Sequence, residues 1–508
     1  MLASRTPPRS FRYATYAALG ATLSIAWSPL LWGMASVYCQ PGGTAKNGRP
    51  PPIAIEHVTV VPMTGAADEL KDRLVIIREG RVADIRMGTV VESEHIGCHI
   101  DGHRKWLMPA LADMHVHPEN LRLLRLLTGD ATLTAADVSD EDIFLPYVAN
   151  GVLQILDMSA MSEAVGQRDD IDSGRVLGPH MALAALIDGS PPSWPEGLAH
   201  VAASPEDGRQ VVRDLKAEGF DFIKVYTKLD FPAFSAIVDE ARRNGMKVLG
   251  HIPGRKSADT ERWFQPGFDM VAHLEEFAYQ ARDMTQAQAE IPRFVRIARD
   301  SGIGVETTVV LDKSLLAQLY RSETAVSHPE LRYVHPATRA YWKIADPHAQ
   351  RSDTLIARME GLVTFNCRLV KALDDAGVPI YPGTDALMPG MVAGFSLHDE
   401  LEALQMCGLK PRELLSAATI GAAQWLGVAA DRGTLQVSKR ADLLLLDSDP
   451  LIDVTNTRRI AAVFVGGRYL PRKALDSRLN ALARRYASMS IPVAMLTPTA
   501  PNQRSKTN

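Results

Sequence analysis

Two rhythms of apolar and polar residues alternate along this chain. From Ile53 to His103 the apolar runs are short and β-branched, as in Val58-Thr59-Val60-Val61 and Leu74-Val75-Ile76-Ile77. Glu79-Gly80-Arg81 between Ile77 and Val82 reads as a tight hairpin turn, so this part is a small all-β segment. From Leu107 to about Leu426, strand-sized apolar runs alternate with helical stretches such as Glu206–Glu218 and Phe231–Asn244. The predicted strands are Leu107–His115, Val152–Asp157, Met181–Ala185, Phe220–Val225, Lys247–His251, Met270–His273, Val305–Val310 and Val378–Asp385. Eight strands separated mostly by helices predict parallel pairing and closure into an α/β (β/α)8 TIM-type barrel. The strand rhythm then returns in Asp442–Asp447 and Ile460–Val465, with Gly466-Gly467 as a second hairpin turn. A small β-sandwich domain built from both flanking segments is the economical arrangement.

The expected division is an export signal or membrane anchor over 1–40, a linker over 41–52, the β domain over 53–106 plus 427–472, and the barrel over 107–426. A C-terminal helix and a disordered tail fill 473–508. The first of these rests on Arg5, Arg9 and Arg12, which precede an uncharged stretch from Tyr13 to Ala45. Basic residues before an apolar run mark export across a membrane, with the segment either cleaved or retained as an attachment. The apolar part, about Ala17 to Cys39, is long for a cleaved signal, while Pro29 and several small residues weaken a spanning helix.

Composition narrows the function classes. Hydrophobic residues make up 46% of the 508 positions, enough for a full core. With 55 basic and 59 acidic residues the net charge is −4, which gives no reason to expect nucleic-acid binding. Cys39, Cys98, Cys367 and Cys407 show no Cys-x-x-Cys spacing; the last three read as buried apolar filler, and redox compartment stays open.

The chemistry sits at strand ends. His115 and His117 close the first strand, and residues two apart on a strand share a face, so both imidazoles can meet one metal ion. The fourth strand carries Lys224, the fifth ends in His251, the sixth in His273, and the eighth in Gly383-Thr384-Asp385. In a barrel of this kind, active sites form at the C-terminal strand ends. Each residue alone has a structural reading: a snorkelling lysine, a satisfied core histidine, a helix-capping aspartate. Their joint placement at one rim argues for a site.

These pieces resemble the amidohydrolase superfamily over about Ile53 to Leu470, and within it the branch of imidazolonepropionase-like proteins and metal-dependent Xaa-Pro dipeptidases. The resemblance is carried by Leu107–His117, Phe222-Ile223-Lys224-Val225-Tyr226, Gly250-His251, Ala272-His273-Leu274-Glu275 and Gly383-Thr384-Asp385, with Lys439–Leu443 and Asp449-Pro450-Leu451 in the returning β segment. Ala110 stands where the family usually has glycine.

The resemblance implies two divalent metal ions. His115 and His117 would hold one with Asp385, His251 and His273 the other, and Lys224 would bridge them as a CO2-derived carbamate. A charged ammonium cannot bind a cation, and burial beside positive charge depresses a lysine pKa, which favours the reactive neutral amine. Zinc suits imidazole and oxygen ligands best, with manganese, cobalt and iron also compatible. A metal-bridging hydroxide would attack an amide carbonyl, with Asp385 moving the proton to the departing amine. Tyr226 is a candidate donor to the oxyanion, or a packing tyrosine. His398 reads as structural.

The leading expectation is hydrolysis of C–N bonds in a small amide or dipeptide substrate. A mononuclear cyclic amidine or lactam hydrolase, or a deaminase, is the alternative, and Lys224 argues against it. A non-catalytic binding barrel is more remote, because all six positions carry suitable side chains. Specificity is expected from the loops 186–203 and 311–375, with Lys228 and Arg255 as candidates for holding a free carboxylate. The reading is also compatible with a homo-oligomer.

Overall fold

The computed structural model describes residues 51–489, apart from 66–68, 92–93, 130–132, 135–136, 195–196, 256–258, 321–327 and 345–350. The expected export segment, nearly all of the linker and the tail from residue 490 lie outside the described residues. No helix among the described residues is long and apolar enough to cross a membrane.

Eight parallel strands form the barrel: Leu111–Val116, Val152–Asp157, His180–Asp188, Phe222–Val225, Lys247–Gly250, Phe268–Ala272, Gly304–Glu306 and Ile380–Tyr381. Neighbours pair in chain order. The last meets the first through Met114 N–H donating to the Pro382 carbonyl at 3.0 Å and His117 N–H to the Ala386 carbonyl at 2.9 Å. Asp113 reinforces this seam, accepting from the Thr384 hydroxyl at 2.7 Å and from Thr384 N–H at 3.1 Å. Its carboxyl is pushed up to about 8 by burial.

A second sheet takes strands from both flanks. Ile53–Val60, Leu70–Arg78, Arg81–Arg86, Cys98–Asp101 and Trp106–Pro109 join Leu443–Leu446, Ile460–Val465 and Arg468–Pro471. Both expected hairpins are present, turning at Glu79-Gly80 and Gly466-Gly467. Ile55, Val75, Ile77, Leu107, Leu443 and Phe464 share one apolar core, so strands from both flanks of the barrel fold as one eight-stranded sheet around it.

Three strands differ most from the sequence reading, and the simplest is the expected Val378–Asp385, which is a strand over Ile380–Tyr381 alone. The expected strand Leu107–His115 is two strands, because the backbone changes sheets at one residue. Ala110 N–H bonds the Asp442 carbonyl of the small sheet, and Leu111 N–H bonds the Gly151 carbonyl beside the barrel, both at 3.0 Å. The expected strand Val305–Val310 stops at Glu306, and a helix spans Val309–Tyr320. The buried Glu400 carboxylate accepts from Val309 N–H at 3.1 Å and Val310 N–H at 2.6 Å, satisfying donors that a helix start leaves unpaired. That long-range cap overrides the β-branched composition of Val305–Val310.

The cysteines are corrected as well. Cys367 and Cys407 form a disulfide with Cα atoms 4.8 Å apart, joining the helices Asp353–Asp375 and Phe395–Met406. Cys98 is also disulfide-bonded. A bridge between residues 40 positions apart leaves no local spacing signal, which is why Cys367 and Cys407 read as apolar filler. His398 is structural as expected: it is buried, with Nδ1 2.8 Å from Thr457 Oγ1 and Nε2 3.0 Å from the Asn150 carbonyl.

Candidate active site

All six rim residues converge. His115 Nε2 lies 3.1 Å from Lys224 Nζ and 3.5 Å from Asp385 Oδ1, and His117 Nε2 lies 2.9 Å from the same oxygen. The His273 ring is 4.5 Å from that of His115 and 5.1 Å from that of His251, centroid to centroid. The donor atoms of His115, His117 and Asp385 lie within 4.8 Å of one another, close enough to share a cation.

The strand ends are shaped for this. Gly250 precedes His251 where a Cβ would fall 2.2 Å from the Val225 carbonyl oxygen, so only glycine lets the two strands approach there. His273 and Asp385 adopt left-handed backbone, with φ of 72° and 55°. Such non-glycine residues cost roughly 1–3 kcal/mol each and gather where function requires a fixed side-chain direction.

Each histidine is held from behind. His115 Nδ1 is 2.8 Å from Glu306 Oε2, His117 Nδ1 is 2.7 Å from Ser159 Oγ, and His273 Nδ1 is 2.8 Å from Thr308 Oγ1. His251 Nδ1 lies 2.9 Å from Glu276 Oε1, at an angle outside hydrogen-bonding geometry. Such outer contacts orient imidazoles and leave their other nitrogens free to bind.

Burial sets the charge states. It holds His115 and His273 well below the usual histidine range, helped at His115 by Lys224 and at His273 by His251 and Lys224. Burial also lowers the Lys224 ammonium, against the opposing pull of Asp385, Glu306 and Asp157. At Asp385 burial acts upward, but the hydrogen bond with His117 and the charges of His117, His273 and Lys224 together pull its carboxyl below the usual range. Neutral imidazoles, a lysine biased toward its amine and an ionised aspartate are the forms that cation binding requires.

The sequence reading missed Glu306. It is fully buried, and its Oε1 has no hydrogen-bond partner among the described residues. A Cβ on Gly383 would sit 2.2 Å from that oxygen, so the glycine before Thr384-Asp385 leaves room for it. The rule that found the other residues, reading the last position of each strand, would have found Glu306 had the seventh strand been ended there.

A cavity of about 270 Å³ opens on the rim. Its lining includes His117, Lys224, Tyr226, His251, His273 and Asp385. The Tyr226 ring lies 4.1 Å from that of His251, tilted by 44°, and Trp194 stands 6.5 Å from Tyr226. Asp188 fixes the loop that carries Trp194, accepting from Ser193 N–H at 2.7 Å and Lys228 N–H at 2.8 Å. Of the two basic candidates, Arg255 lines the cavity and Lys228 does not.

The profile of the amidohydrolase family matches residues 106–470. The chain belongs to the amidohydrolase family. It is 42% identical over 111 residues to the imidazolonepropionase of Deinococcus deserti, a stretch covering 21% of this chain and 27% of that protein. The shared region is thus about a quarter of that relative's length. Among solved structures, a bottromycin amidohydrolase superposes with a TM-score of 0.66 at 23% identity, covering 88% of this chain and 92% of its own. A Xaa-Pro dipeptidase with methionine in its active site superposes at 0.61 and 16% identity, covering 83% and 100%. Both likenesses concern the fold.

Proposed function

We propose that this amidohydrolase cleaves small amides of the dipeptide type with a pair of divalent metal ions. The observation that carries the reading is the position of Lys224 Nζ, buried and 3.1 Å from His115 Nε2 among four histidines and Asp385. An ammonium there is disfavoured, whereas a carbamate formed from that amine and carbon dioxide would add two oxygen donors to the set. The donor set fits: His115, His117 and Asp385 for one ion, His251 and His273 for the other, with Lys224 between. Two such ions would supply Lewis acidity and lower the pKa of water, with zinc the best match to these donors.

The protein's own residues do the rest. Asp385 takes the proton released as water's oxygen bonds to the carbonyl carbon, then delivers it to the nitrogen as the C–N bond breaks. Tyr226 keeps its phenol protonated, because burial raises its pKa, and so can donate to the developing oxyanion. Trp194 and Leu186 close the apolar side of the cavity and exclude water. Arg255 lies at the cavity wall, where a free carboxylate of the substrate would be received.

A mononuclear reading rests on a separate observation. The three donors already within reach of one another, His115, His117 and Asp385, suffice for one ion, and a stretch of 111 residues is 42% identical to the imidazolonepropionase of Deinococcus deserti. Lys224 has no task in that version. Incubation with dipeptides, N-acyl amino acids and lactams, read by mass spectrometry, separates the two: turnover of linear amides supports the first, and turnover of lactams alone the second.

Export across a membrane is the proposed localisation. The N-terminal pattern suggests it, and the Cys367–Cys407 disulfide suits an oxidising compartment.

A further inference from the structure

A second chamber of about 370 Å³ adjoins the catalytic cavity, sharing Arg255, Tyr279 and Leu362 with it. At roughly 30 Å³ per water, it has room for about a dozen waters, or for one more residue-sized group. Its lining differs from that of the inner cavity in being dominated by arginine. The inner wall carries Glu275, Glu276, Asp312 and Asp385 against Lys224 and Arg255. The outer wall carries Arg255, Arg282 and Arg358 against Asp283 alone.

That single acid is already engaged. Asp283 caps the helix Met284–Ser301, accepting from Gln286 N–H at 2.9 Å. Arg282 donates from Nε to the neutral Gln286 Oε1 at 2.9 Å. Among the described residues, neither Arg282 nor Arg358 has a carboxylate within ion-pair distance, although most arginines with resolved contacts in this protein do, such as Arg293 with Glu261 and Glu290. At the neck, the Arg255 guanidinium lies 4.2 Å over the Tyr279 ring and 3.9 Å from Glu276 Oε1.

We infer that the chamber is a specificity subsite for a second carboxylate, carried by the substrate beyond the one met by Arg255. An amide whose departing portion is an acidic amino acid has this shape. Planar guanidinium groups pair with carboxylates through two parallel hydrogen bonds, and two unpaired arginines facing one space provide for such a group. The inference rests on the amide-hydrolase reading above for the substrate's placement, but the chamber can be tested without turnover.

Dansyl-glutamate and dansyl-glutamine form a matched pair of probes, since their sulfonamide is not a carboxamide and they differ at one side-chain group. Binding is read by dansyl fluorescence on the full-length protein as purified. The expected result is about tenfold tighter binding of dansyl-glutamate, as a charge-assisted contact provides. That preference should vanish in Arg282→Glu/Arg358→Glu and fall in Arg282→Met/Arg358→Met, which removes charge without reversing it. Equal affinities in the wild type, or a preference unchanged in both double variants, would overturn the subsite. If the preference is present but no linear amide is hydrolysed, the subsite stands and the substrate reading fails. If dipeptides are hydrolysed without any acidic preference, the reverse holds.

Discussion

The carboxylate of Glu306 lies 2.8 Å from Nδ1 of His115, and neither side chain is exposed to solvent. With the shared proton on Nδ1, Nε2 turns its lone pair toward Lys224 and Asp385. Glu306 also accepts from His273 N–H at 3.3 Å, so one carboxylate steadies two strand ends. Replacing it with alanine should therefore loosen metal retention by about 10–100-fold. Competition against a chelator measures this directly. Retention equal to wild type would remove Glu306 from the site's support.

Lys224 is tested by substitution and by content. Purified protein should hold about two metal ions per chain by elemental analysis, the number a bridged pair requires. Lys224→Ala should lower the content and abolish hydrolysis, with partial recovery in added formate or acetate, whose oxygens replace the lost bridge. Full activity in that variant would exclude the lysine from the mechanism.

Asp385→Asn keeps the shape of the side chain but loses its basicity. General acid–base catalysis contributes typically 10²–10⁴-fold, so kcat should fall by about that range while KM changes less. A kcat within twofold of wild type would assign proton transfer elsewhere.

Acid stability depends on a residue far from the chemistry. Burial, with the nearby Arg458 charge, holds His398 at about 3, well below an unfolded histidine near 6.5. The unfolded chain therefore binds the extra proton between these values. Stability contributed by neutral His398 is present above pH 6.5 and lost as pH falls toward 3. Denaturant melts between pH 7 and 4 should show a shallower decline in His398→Gln than in wild type. Parallel declines would place the acid sensitivity in other groups.

Cys367 and Cys407 are 40 residues apart in sequence. Closing a loop of that size stabilises a fold by typically ~2–4 kcal/mol through the unfolded chain. Cys367→Ser/Cys407→Ser should accordingly lower the melting temperature, and reducing agent should lower that of the wild type by more than that of the variant, in which only the Cys98 bridge is left to reduce.

Much of this architecture is legible in the sequence because its signals are local. Val152–Asp157 is a continuous apolar run bounded by turn residues, and it is a strand over the same residues. The six rim residues were found because a parallel barrel places strand ends together, so that strand position alone predicts proximity. Glu306, the Cys367–Cys407 bridge and the helix start at Val309 were not legible, and the reason is common to all three. Each depends on a partner far along the chain: His115 for Glu306, Cys407 for Cys367, and Glu400 for Val309. Arg255 and Lys228 looked equivalent for a similar reason, since which one faces the cavity is decided by loop paths.

The transfer of the backbone between sheets at Ala110 has a consequence for engineering. His115 stands five residues downstream of that junction, and Trp106–Pro109 is clamped on one side by Leu443–Leu446 from the opposite flank of the chain. The catalytic barrel is thus anchored by a clasp whose halves lie more than three hundred positions apart. Excising residues 111–426 as an autonomous module would sever that clasp and leave His115 and His117 dangling from a frayed end.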